Sequence, residues 1–367
     1  MRQKAVSSRA QIFKMIRRTT ITFLFSLFIS FIASGQEKAK PEKKFQVALI
    51  GFYNLENFYD TIDDPSKNDE EFLPMGANHY NGAVYKDKIS KLSDVISLIG
   101  TDVTPDGLAL MGCAEIENDT VLTDLVHSVK LVDRGYKIVH YNSPDIRGVD
   151  VGLLYNPKYF KPGFSEPLFV PLKEPDGAPH YTRDVLYVEG LLLGEPVYIF
   201  VNHWPSRRGG EEASAPARAI AAQVDKHKID SLIKINPDAK IVMMGDLNDD
   251  PVSPSVVNVI GAVGDKKDVT RGKMFNPWTA YYKQGIGTLA YNDAWNLFDQ
   301  IILSSGWLDK NQPGFFFKEA RIFSKPWMMQ QDGRYRGYPK RTYDFNKYIG
   351  GYSDHFPTFT VFLKELK

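Results

Sequence analysis

The chain has a single cysteine, Cys113. One thiol cannot close an internal disulfide, so the fold must be held by packing. In "LALMGCAE" it reads as a core thiol. Long hydrophobic runs are also missing. The most apolar stretch, "ITFLFSLFISFIASG" at 21–35, is shorter than the roughly 20 residues that span a bilayer. Before it stand Arg2, Lys4, Arg9, Lys14, Arg17 and Arg18 and no acid. That is the layout of a secretory signal peptide, with cleavage expected near Gly35. A membrane anchor is the competing reading. No cysteine follows the apolar core, which excludes lipid attachment there. Met15 would start a more compact leader. Charge of one sign is lacking too: 45 basic residues face 44 acidic ones. With the leader's six basic residues removed, 39 stand against 44, a net of −5. This excludes bulk electrostatic binding to nucleic acid or anionic lipid. Internal repeats and low-complexity regions are absent.

What remains divides into a leader (1–35), a polar linker (36–44, "QEKAKPEKK") and a folded region (45–367). The length allows one large domain or two small ones. Strand and helix signals alternate along the folded region. "FQVALIGFYNL", "GLALMGCAE", "YKIVHYN", "VDVGLLYN", "KIVMMGDLN", "LFDQIILSS" and "HFPTFTVFL" predict strands. "VLYVEGLLL" and "PVYIFVNHW" predict a hairpin across "GEP". "KDKISKLSDVISLI", "TVLTDLVHSVKL" and "SAPARAIAAQVDKHKIDSLIK" predict helices. The mixture suggests one α/β domain with two packed sheets and helices outside. Alternation alone also permits a doubly wound sheet.

Polar residues recur at the edges of these apolar strands. Asn54 and Glu56 follow "VALIGFY", Glu115 follows "LALMGCA", and His203 follows "VYIFVN". Asp246 and Asn248 follow "IVMMG". Asp299 precedes "QIILS", and Asp354 with His355 precedes "FPTFTVF". A single strand-end Asp or Asn is usually a turn former. Such residues on strand after strand are harder to assign to turns, because strands of one sheet can bring their ends over one cleft.

The ordered set "NLEN", "AEIEN", "NHWPS", "GDLNDDP", "FDQIILS" and "GYSDHFP" resembles the motifs of the endonuclease/exonuclease/phosphatase family. The likeness runs from about residue 45 to about 363, and its order is more specific than any one motif. The resemblance implies a four-layer αββα sandwich, two mixed β-sheets flanked by helices. It also implies phosphoester hydrolysis with a divalent metal, Mg²⁺ or Mn²⁺. Asn54 and Glu115 match metal-holding residues, and Glu56 matches an acid near the metal. Asp246 and Asn248 match the pair that handles the attacking water and the phosphate. Asp354 and His355 match the closing pair, and Asp354 is grouped with the metal site. Asp299 matches the carboxylate that orients the histidine, and His203 matches a second histidine. Which of His355 and Asp246 activates water stays open.

The residue types agree with that chemistry. Mg²⁺ takes few protein carboxylates plus waters and substrate phosphate. A carboxylate beside an imidazole fixes its tautomer. Arg183, Arg207 and Arg208 are expected as substrate phosphate contacts, each against a surface alternative. Asp249 and Asp250 are expected to solvate their loop, with outer-shell metal binding as the alternative. Residues 323–345 interleave Arg334, Arg336, Lys340 and Arg341 with Trp327, Tyr335, Tyr338 and Tyr343. This suits unpaired nucleotides or a loop packed by its own aromatics. The remaining histidines read as ordinary surface or core. The functional expectation is an exported, monomeric nuclease, periplasmic or extracellular, with no stable membrane association once its leader is removed. The alternatives are a phosphatase or phospholipase C-type hydrolase acting on small phosphoesters, and an inactive binding module.

Overall fold

In the strand Phe45–Phe58 (β1), side chains alternate between two buried clusters. Ala48, Ile50 and Phe52 enter one; Leu49 and Tyr53 enter the other. Both faces are covered, so the sequence reads as an almost continuous apolar run. The same period recurs in Ile241–Asp246, where Val242 and Met244 face one core and Ile241 and Met243 face another.

The computed structural model describes residues 43–366. The expected leader, its cleavage point and most of the linker lie outside the described residues. After β1 come Leu110–Ile116 (β2), Lys137–His140 (β3), Asp150–Tyr155 (β4), Phe160–Leu168 (β5) and Val185–Leu192 (β6). Glu195–His203 (β7), Ile241–Asp246 (β8), Ala262–Val263 (β9) and Met274–Phe275 (β10) follow. Asp299–Ser304 (β11), Phe316–Ile322 (β12) and Thr358–Glu365 (β13) complete the two large sheets. One sheet has the order β12-β13-β1-β2-β4-β3 and the other β9-β10-β11-β8-β7-β6-β5. Both are mixed: β1 runs parallel to β2 and β7 to β8, while β1 is antiparallel to β13 and β8 to β11.

Between the sheets lies the central core, with Ile50, Phe52, Leu153, Val201, Met244, Ile301 and Trp307 among its members. Gly112 sits where they touch; a Cβ there would come 2.8 Å from Met244 Sδ. Helices Gly82–Ile96 (α1) and Asp119–Val126 (α2) cover the first sheet with Leu92, Val95, Leu122 and Leu125. Helix Glu211–Ile235 (α3) covers the second with Ala221, Ala222, Ile229 and Leu232. The result is the expected αββα sandwich, not a doubly wound sheet. No helix among the described residues is long and apolar enough to cross a membrane.

Two strands escape the sequence pattern. The strand β5 contains Pro162, Gly163 and Pro167, which normally argue against a strand. It is tolerated because β5 is the edge of its sheet. The strand β12 is the opposite kind of edge, half-buried and polar at Lys318, Glu319 and Arg321.

Candidate active site

Alternation along the strands continues past the last apolar residue, and this builds the site. Val197, Ile199 and Val201 of β7 point between the sheets, so His203 does too. The same parity carries Asp246 inward after Val242 and Met244, and Asp299 inward before Ile301 and Leu303. Register then sets these three side by side: His203 pairs with Asp246, and Asp246 with Asp299. From the facing sheet, Asn54 follows Ile50 and Phe52 inward and donates Nδ2–H to Asp246 Oδ2 at 3.0 Å. That hydrogen bond closes the sandwich at one end. Glu115 would point outward by parity. A β-bulge between Ala114 and Ile116 and a left-handed φ of 57° at Glu115 turn it back.

The two histidines are held differently. His355 Nδ1–H donates to Asp299 Oδ2 at 2.8 Å, and Thr288 Oγ1 donates to the same oxygen. Burial works against a charged imidazole, but the Asp299 carboxylate overrides it and holds the His355 pKa well above the ordinary value. Its Nε2 faces Asp246 Oδ2 and Asp354 Oδ1, each at 3.8 Å. His203 Nε2 lies 3.7 Å from Glu115 Oε1 and 3.8 Å from Asp246 Oδ2. Burial, reinforced by the Arg183 charge, pushes its pKa well below the ordinary value. One imidazole is therefore held charged and the other neutral, with Asp246 between them. Burial raises the Asp246 carboxyl to about 6, against the pull of His355.

Other expected residues lie further out. Glu56 accepts Thr342 N–H at 2.7 Å and Thr342 Oγ1–H at 2.8 Å, and Lys88 Nζ lies 3.6 Å from it. Burial, then the nearby Asp354, pushes its pKa up to about 7. Asp354 Oδ2 pairs with Arg341 Nη2 at 2.9 Å. Asn248 donates its side-chain amide to the Trp204 carbonyl at 2.9 Å, and its own N–H to Asp246 Oδ1 at 3.0 Å.

The arginines differ most from expectation. Arg183 is buried and donates to the carbonyls of His203 (3.1 Å) and Trp204 (2.7 Å) and to Asp145 (3.2 Å). It braces the strand end beneath His203, where bare carbonyls need donors. Arg207 donates to the Asn248 carbonyl at 2.9 Å and pairs with Glu211, Asp249 and Asp250. Structural partners thus replace the expected phosphate contacts at both positions; Arg208 is exposed. Asp249 and Asp250 are corrected as well: they are buried, not solvating. Asp249 pairs with Arg218 and accepts from Ser255, while Asp250 accepts the Leu297 N–H.

Two buried polar residues behind the site were missed. Lys88 donates to the Glu56 carbonyl at 2.7 Å and to Thr342 Oγ1 at 2.6 Å. Asp225 accepts from Asn202 and Trp204 on either side of His203, each at 3.2 Å. Both left a signal, a charge on the apolar stripe of its helix: Lys88 before Leu92 and Val95, Asp225 between Ala222 and Ile229.

The donors suit a hard divalent cation. Glu115 gives one oxygen, Oε2, to the Asn57 N–H at 2.8 Å and turns Oε1 to the cleft. Glu56, Glu115, Asp246, Asp299 and Asp354 crowd one end of the sandwich. All are oxygen donors of the kind Mg²⁺, Mn²⁺ or Ca²⁺ take. Among the described residues, the Asp246, Asp299 and His355 ligand atoms lie within 4.8 Å of one another. There the Asp299–His355 hydrogen bond already satisfies two of the three.

A sequence model of the Endonuclease/Exonuclease/phosphatase family matches residues 49–364. The chain belongs to that family. Its members are metal-dependent phosphoesterases and nucleases, and this protein is a phosphoester hydrolase of that class. No curated protein matches the chain by sequence. Solved structures resemble it in fold. D. rerio TDP2 complexed with single strand DNA product is 14% identical, with a TM-score of 0.50 over 86% of this chain and 99% of that one. A family protein from Bacteroides thetaiotaomicron is 13% identical, with a TM-score of 0.51 over 88% and 100%. A functionally unknown conserved protein from Enterococcus faecalis V583 is 15% identical, with a TM-score of 0.50 over 86% and 100%.

Proposed function

We propose that this family member is an exported, Mg²⁺-dependent phosphodiesterase acting on nucleic acid. The observation that carries the diester reading is the charge of the site. Five carboxylates meet there, while Arg183 and Arg207 are engaged by protein groups. A phosphomonoester dianion meets more repulsion from those carboxylates, which Arg147, Lys88, Arg341 and the charged His355 have to offset. A diester carries one negative charge and asks for less. The nucleic-acid reading is supported by the arginine–aromatic segment 323–345 beside the site, and by the fold shared with TDP2, whose structure holds a single strand DNA product.

Glu115, Asn54 and Asp354 would hold the cation, which withdraws charge from the phosphoryl oxygens and steadies the leaving oxygen. Asp246 sits between the two imidazoles and takes the proton of the attacking water. Its raised pKa suits a base working near neutrality. His355, kept charged by Asp299, donates Nε2–H to a non-bridging phosphate oxygen. His203, neutral, hydrogen-bonds the phosphate from the opposite side. Asn248 and Arg183 position Asp246 and His203 through the backbone.

The test is a substrate panel: plasmid DNA, RNA, bis-p-nitrophenyl phosphate, p-nitrophenyl phosphate, inositol polyphosphates and sphingomyelin, each with Mg²⁺, Mn²⁺ or EDTA. The diester bis-p-nitrophenyl phosphate is expected to be hydrolysed faster than the monoester p-nitrophenyl phosphate, and EDTA is expected to stop the reaction. Faster turnover of the monoester would establish the phosphatase alternative instead.

A further inference from the structure

A cleft of about 560 Å³ opens beside the catalytic end of the sandwich. Its lining includes Glu56, Thr342 and Asp354, so it reaches the edge of the proposed site. The volume lies in the range of about 300–1,000 Å³ usual for small-molecule sites. Two rings on its rim are bare: Phe345 is 89% exposed and Tyr291 70%. On the same lining, Tyr335 packs on Tyr338 at 5.7 Å, and Tyr338 packs on Trp295 at 5.7 Å. Trp295 in turn stacks on Phe356 at 6.2 Å with 16° between the planes. Phe356, next to His355 in the chain, is itself buried.

The cleft's charge selects what enters it. Four carboxylates line it, Glu56, Glu71, Asp344 and Asp354, against two arginines, Arg334 and Arg341. Arg341 is already paired with Asp354, and Arg334 lies over the Tyr335 ring at 5.7 Å. A run of phosphates would meet net negative charge here. A flat, uncharged ring would meet aromatic faces and the side-chain amides of Asn78, Asn292 and Gln330.

We infer that this cleft holds the nucleoside at the end of the substrate strand, with its base against the rim aromatics. The inference rests on the phosphodiesterase reading above and adds that the enzyme cuts at strand ends. Water adds to the adjoining phosphorus as Asp246 takes its proton, the P–O ester bond breaks, and the departing oxygen takes up that proton and leaves as a hydroxyl. The products are one nucleotide and a shortened strand. A strand continuing through the cleft would carry its next phosphates onto Glu71 and Asp344.

The decisive comparison is between thymidine 5′-(p-nitrophenyl phosphate) and methyl p-nitrophenyl phosphate with Mg²⁺. Both release p-nitrophenol, and only the first carries a nucleoside. The ratio of their kcat/KM values is expected to favour thymidine. The Tyr291→Ala/Phe345→Ala variant should lower that ratio about tenfold, within the range for stacking a base on an aromatic ring, chiefly through KM. Both rings are exposed, so Tm should not move. Linear single-stranded DNA should be degraded while covalently closed single-stranded circles resist. An unchanged ratio in the variant, or circles cut as fast as linear strands, overturns the inference. So does a variant that loses hexose phosphates and not the thymidine ester, because the occupant is then a sugar. If the wild type hydrolyses neither ester, the phosphodiesterase reading itself fails, and the inference with it.

Discussion

Asp299→Asn alters one charge and almost no volume. In the wild type, the carboxylate accepts from His355 Nδ1 at 2.8 Å and from Thr288 in a fully buried position. An asparagine can still accept from Thr288 through its carbonyl oxygen. It then offers no negative charge to the imidazole. Burial, which disfavours the charged ring, is then opposed only by Asp246 and Asp354, each 3.8 Å from Nε2, and the His355 pKa falls. A hydrogen bond to a charged group contributes about 1.5–3 kcal/mol. The loss in kcat/KM should therefore be about ten- to hundredfold. His355→Ala removes the donating group itself and should cost more. The double variant should be scarcely worse than His355→Ala, because residues acting as a unit are non-additive. Stability offers a second readout. The folded pKa of His355 is raised above its unfolded value. The stabilisation it brings is full below the unfolded value of about 6.5 and fades as pH rises through the folded one. The stability gap between wild type and Asp299→Asn should thus be wide at pH 6 and narrow steadily in alkaline buffer. The assays are kcat/KM on one activated diester at fixed Mg²⁺, and denaturant titration across pH. Fully multiplicative losses, or a gap that widens with pH, would refute the pairing.

Three other outcomes are expected. Glu115→Gln keeps volume and removes a ligand charge, so activity should collapse while Tm in EDTA stays within a few degrees; full activity of the variant would falsify the metal assignment. Arg183→Ala strips donors from the buried carbonyls of His203 and Trp204. It should destabilise the fold by about 2–4 kcal/mol, and a variant of wild-type stability with only a raised KM would restore the phosphate-contact role. Cleavage near Gly35 should leave Gln36 at the N-terminus, and mass spectrometry of exported protein should find that mass; an intact leader in the membrane fraction would favour the anchor.

Much of this protein follows from the sequence because its strands are covered on both faces. Such strands are runs of Val, Ile, Leu and Met that nothing else resembles, and the polar residue ending each run stands out. Asn54, His203, Asp246 and Asp299 were legible that way, and parity along each strand carries them to the inner face; His355 reaches the site from the bend before β13. Edge strands carry no such signature: β5 holds two prolines because its outer edge needs no donors. Arginine roles were illegible for another reason. Whether a guanidinium meets substrate or a carbonyl depends on what the chain brings back from far away, and Arg183 meets the end of a strand 20 residues on. Asp249 and Asp250 looked solvated because their partners, Arg218 and the Leu297 N–H, are 31 and 47 residues distant. The chain's own pattern determined the sheets and which polar residues stand at their ends. The tertiary structure alone decided which charges are paired and which face the cleft, since burial makes an unpaired charge too costly to keep.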